Sequence, residues 1–108
     1  MGHTEPPASD PALRPAAQLL VLEGEALLGV VRPLTAEDFD LPTACSRWSV
    51  RDVLAHCSAV LHRLVAGVGG MFDPQENQQD VDLRATWTTD RVIDELTRGC
   101  AKAPIIIH

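Results

Sequence analysis

Apolar residues recur at helical spacing in three stretches of the 108-residue chain. The first runs from about Pro15, a residue suited to a helix's first turn, to about Val31. Leu20, Gly24, Leu27 and Val31 share one face there, with Leu13, Ala17, Leu28 and Leu34 beside them, and Pro33 ends the run. Gly24 weakens this helix by roughly 1 kcal/mol relative to Ala, but it lets a neighbour pack closely. The second stretch opens on Ser49-Val-Arg-Asp52, where Ser49 can cap the first-turn amides and Asp52 can reach back. This helix should end near Ala66, in Gly67-Val-Gly-Gly70. Its apolar stripe is Val50, Val53, Leu54, Cys57, Val60, Leu61, Leu64 and Val68, within roughly 120° of arc. The third begins after Thr88 or Thr89 and reaches about Ala103, with Val92, Ile93, Leu96 and Cys100 on one face. Asp94 and Arg98 form a surface pair on it, and Pro104 breaks the pattern.

The intervening segments read differently. Residues 34–48 form a structured connection, with Thr35-Ala-Glu-Asp38 capping one short turn and Pro42 closing it. Trp48 should be buried at one end, its indole N–H needing a partner. Residues 70–84 (GMFDPQENQQDVDLR) are polar and without period, which predicts a long loop. Residues 1–11 are polar and proline-rich and predict a disordered lead-in, leaving 12–108 as one all-α domain of three packed helices. The apolar end Ile105-Ile106-Ile107-His108 is an odd finish for such a domain, since it leaves apolar surface without a partner.

Composition narrows the class. Ala and Leu occur 13 times each, and Tyr is absent, which favours helix over strand. A net charge of −6, with no Lys/Arg cluster, excludes a nucleic-acid binder. No apolar run is long enough for a membrane span, and MGHTEPPASD has no signal-peptide pattern, so a cytoplasmic protein is expected. Cys45, Cys57 and Cys100 are an odd, widely spaced set that fits neither a disulfide framework nor a zinc spacing.

Candidate chemistry centres on His56. It lies at the border of the second helix's apolar arc, where bundle metal and cofactor sites are built. Asp52, one turn earlier on the same side, could hold one ring N–H and aim the other nitrogen inward as a ligand. The plainer alternative is a boundary histidine with a hydrogen bond to Asp52, and Asp52 occupied with capping. Cys57 points about 100° away into the stripe, so it reads as a small core residue with a disfavoured thiolate. His62 faces solvent. The acidic stretch Asp73–Asp82 lacks the glycine and closing glutamate of a calcium loop, and the Gly67–Gly70 run is no phosphate cradle.

The stretch LTAEDFDLPTACSRWSVRDVLAH, residues 34–56, resembles the N-terminal metal-binding domain of the mycothiol-dependent maleylpyruvate isomerase family, within the DinB-like superfamily. The resemblance rests on Leu34, Thr35, Glu37, Asp38, Pro42, Thr43, Cys45, Trp48, Val50, Arg51, Asp52 and His56. A looser similarity extends over residues 13–103. It implies an up-down bundle of four helices carrying zinc or another divalent metal. The implied ligands are one histidine on the second helix, here His56, and a Glu/His pair at one-turn spacing on the fourth.

It also implies mycothiol as cofactor, with a small thiol attacking a small-molecule electrophile in isomerisation or thiol transfer. With three helices counted of an expected four, the fourth helix and its ligands are absent from this reading. The resemblance is to enzymes, but one ligand falls short of the three plus water that catalytic zinc uses. The chain alone is therefore expected to be an inactive fragment. The alternative is a non-enzymatic interaction module that forms a homodimer or accepts a partner helix.

Overall fold

The computed structural model describes residues 14–44, 47–68 and 73–106. The expected disordered lead-in, Cys45 and the terminal Ile107 and His108 lie outside these residues. Four α-helices are present: α1 (Arg14–Val31), α2 (Val50–Ala66), α3 (Pro74–Arg84) and α4 (Thr89–Ile106). The expectation of three helices out of four is therefore wrong. The segment read as a long loop contains α3, and the helix counted as third is the fourth. The all-α class holds, with no strand among the described residues beyond a single antiparallel bridge between Pro42 and Ser49.

Local chemistry explains α3. Asp73 accepts from the backbone N–H groups of Gln75 and Glu76, at 2.8 and 3.1 Å, and Pro74 occupies the first turn. Val81 is its one buried apolar side chain. Charged contacts supply much of its attachment. Arg63 of α2 bonds both oxygens of Asp80, at 2.6 and 3.2 Å, and reaches Glu76 at 3.0 Å. Arg84, buried at the other end of α3, makes a two-point pair with Glu95 of α4 at 2.6 and 2.8 Å. Such a helix leaves almost no hydrophobic period to read.

The remaining helices follow their patterns more closely. The capping box at Ser49 is made, with Asp52 Oδ2 accepting from the Ser49 backbone N–H at 3.0 Å and from its hydroxyl at 3.2 Å. Gly67 stops α2 in the left-handed conformation (φ 70°, ψ 23°). Thr35 and Asp38 cap a 3-10 turn, Ala36–Asp40, that buries Phe39. Leu41, before Pro42, is extended as the proline requires.

On α1, Val21, Leu28 and Val31 are buried beside Gly24. There a Cβ would lie 2.9 Å from Cys100 Sγ and 3.0 Å from Leu61 Cδ1, so the glycine is what admits α2 and α4. Gly99 of α4 does the same from the other side, where a Cβ would meet Leu61 Cβ at 3.1 Å.

The α2 stripe is broader than expected, because α2 touches α1, α3 and α4 and is central to the packing. Ala55, Ser58 and Ala59 are buried along with Leu54, Val60, Leu61 and Leu64, whereas Val68 is exposed. Helix α4 continues through Pro104 to Ile106 instead of breaking there, since a proline in the last turn removes only one ladder donor. The expected Asp94–Arg98 surface pair is present at 2.9 Å. No described helix is long and apolar enough to cross a membrane.

Candidate functional site

The connection from Leu41 to Ser49 sets one wall of the site. Thr43 Oγ1 donates to the Trp48 carbonyl at 2.7 Å, and the Val50 N–H bonds the Leu41 carbonyl at 3.0 Å. These bonds fold Trp48 back over the first turns of α2. Its ring lies 4.9 Å, centroid to centroid, from the His56 imidazole, tilted by 43°. The indole N–H finds its partner on α3, donating to Gln78 Oε1 at 3.3 Å. Trp48 is thus half-buried between α2 and α3.

His56 sits in the cleft this makes. Arg47, Trp48 and His56 form one side, and Asn77 and Gln78 of α3 the other, around a volume of about 710 Å³. Two buried side-chain atoms lack a hydrogen-bond partner among the described residues, His56 Nδ1 and Asn77 Oδ1. Both residues line this cleft. Burial holds His56 below the ordinary histidine value, with the charge of Asp80 pulling weakly the other way. At neutral pH the ring is therefore uncharged and keeps a lone pair for a ligand.

Asp52 keeps its carboxylate on Ser49, and no hydrogen bond joins it to His56 Nδ1. Cys57 is half-buried, and its thiol is pushed up to about 11, first by burial and then by the charges of Glu23 and Cys100. Cys100 is buried and shifted the same way. Neither supplies a thiolate near neutrality. His62 is exposed. Asn77 and Gln78 were missed in the sequence because their segment carried no helical period; Asp73-Pro74 followed by Glu76 was the one signal of a helix start.

A family model described as the mycothiol maleylpyruvate isomerase N-terminal domain matches residues 20–104. The chain belongs to the mycothiol maleylpyruvate isomerase N-terminal domain family. That domain usually stands within the DinB-like superfamily. No curated protein and no solved structure matches the chain.

The family's name implies mycothiol, and the residues present meet only part of what the divalent metal expected from the sequence resemblance would require. His56 offers a buried, unpartnered nitrogen beside a cleft of suitable size. Among the described residues, however, no three His, Cys, Asp or Glu side chains come together as a metal site. Counting α4 as the fourth helix does not supply the Glu/His pair. It carries Glu95 but no histidine, and Glu95 is already bound by Arg84 and by the Ser58 hydroxyl at 2.5 Å.

Proposed function

We propose that this chain is a thiol- and metal-binding domain of the mycothiol-dependent isomerase type, with His56 as its metal ligand. The observation that carries the reading is the buried, unpartnered His56 Nδ1 on the Trp48–Asn77 cleft. A divalent metal, commonly zinc, would lower the pKa of a bound thiol and supply thiolate at neutral pH. The chain's own part is to hold one coordination position with a neutral imidazole, to wall the site with Trp48, and to leave the cleft open for a small thiol. Its further donors must come from the thiol, a second copy or another segment, because one histidine does not retain catalytic zinc. The 108 residues by themselves are accordingly proposed to lack isomerase activity.

Elemental analysis of the protein dialysed against zinc and mycothiol tests this. Wild type should retain the metal, and His56→Ala should lose it while keeping its helical circular dichroism. Equal zinc in the two proteins would remove His56 from the site.

A second reading, a helical interaction module, is favoured by one observation. Leu19, Leu22 and Val30 of α1 are 56%, 62% and 61% exposed. A second copy of α1 would cover them in a two-fold contact. Sedimentation should then show a concentration-dependent dimer that Leu22→Lys dissociates; a monomer at all concentrations would rule it out.

A further inference from the structure

We propose that Asn77 is the second ligand contact of the His56 cleft, and that the molecule bound there presents an O–H or N–H donor to it. The inference rests on the reading of that cleft as a ligand site and names a chemistry for its occupant. Buried polar atoms in folded proteins are almost always paired, because an unpaired one costs its full desolvation. Among the described residues two exceptions, His56 Nδ1 on α2 and Asn77 Oδ1 on α3, belong to residues lining the same cleft.

Neighbouring groups that might have satisfied them are committed elsewhere. The Trp48 indole N–H goes to Gln78 Oε1, and the Gln78 amide N–H goes to Asp82 at 2.9 Å. Arg63 is spread over Asp80 and Glu76, and Asp52 serves Ser49. No other described residue supplies the missing partners, and we assign them to a bound molecule.

Their chemistry follows from the acceptor. A carboxamide oxygen accepts and does not donate, so the ligand must bring an O–H or N–H to Asn77. His56 takes the ligand's other pole. Asn77 thus fixes which way round the ligand lies, a choice a single imidazole cannot make.

Calorimetric titration of the full chain with mycothiol, in wild type, Asn77→Leu, Asn77→Asp and His56→Ala, tests the assignment. Asn77→Leu removes the acceptor and should weaken binding about tenfold or more. Asn77→Asp retains an acceptor and should stay within a few-fold of wild type. Because Asn77→Leu also removes an unpaired buried carbonyl, its thermal midpoint should hold or rise. Wild-type affinity in Asn77→Leu beside lost binding in His56→Ala would overturn the role of Asn77 alone. Loss of binding together with a lowered midpoint would make Asn77 structural and overturn it equally. Absence of binding in wild type, or undiminished binding in His56→Ala, would overturn the cleft reading itself.

Discussion

Arg84→Met should destabilise the fold by about 3–5 kcal/mol in urea or thermal unfolding, the cost of leaving one partner of a buried ion pair uncompensated. The Arg84 side chain is 5% exposed and that of Glu95 17%, and two parallel hydrogen bonds join them. Domains of this size are stable by only ~5–15 kcal/mol, so the loss removes a large share of the total. Arg84→Met with Glu95→Leu should recover much of it, because replacing both charges removes the desolvation cost along with the attraction.

The pH dependence carries the sign. Burial alone would raise the Glu95 pKa, but hydrogen bonds from Arg84 and Ser58 and the Arg84 charge outweigh it and hold the carboxyl below the ordinary glutamate value. The stabilisation is therefore complete above the pH at which an unfolded-chain glutamate titrates. It is lost as pH falls through the lower folded-state value. In Arg84→Met the deficit should be largest at neutral pH and shrink towards acid, as protonation neutralises the stranded carboxyl.

Leu61→Ala should cost about 4–5 kcal/mol, the upper part of the range for buried leucines. Leu61 is 1% exposed at the crossing of three helices, facing Gly24 of α1 on one side and Gly99 of α4 on the other. The penalty for such a truncation grows with the cavity left, and cavities shrink when neighbouring side chains can move in. Two of the neighbours here are glycines with nothing to extend. The urea midpoint should fall with an unchanged denaturant slope, as expected when stability alone changes. A loss under 2 kcal/mol would mean that the helices had closed over the gap.

The parts legible in the sequence were those whose cause is local or periodic. Ser49 and Asp52 mark the start of α2, Gly67 marks its end, and the apolar faces of α1 and α4 follow from spacing. Helix α3 escaped because Asp80, Arg84 and Glu76 fasten it through partners distant in the chain, and Val81 alone makes no period. The candidate site inherited that gap. His56 could be placed on the edge of α2, but the opposing wall of Asn77 and Gln78 could not. Asp52 shows a second limit. One-turn spacing brings it to the side of His56, yet spacing does not say which neighbour a carboxylate will serve, and here it serves the helix cap.

The two ends of α3 are moored with unequal firmness. At its C-terminal end Arg84 is enclosed by protein, where mobile ions screen poorly; at its N-terminal end Glu76, with a side chain 44% exposed, faces the electrolyte. Salt therefore weakens the Glu76 contact first, while the Arg63–Asp80 pair, with side chains only 15% and 17% exposed, keeps the same stretch of α3 fastened to α2.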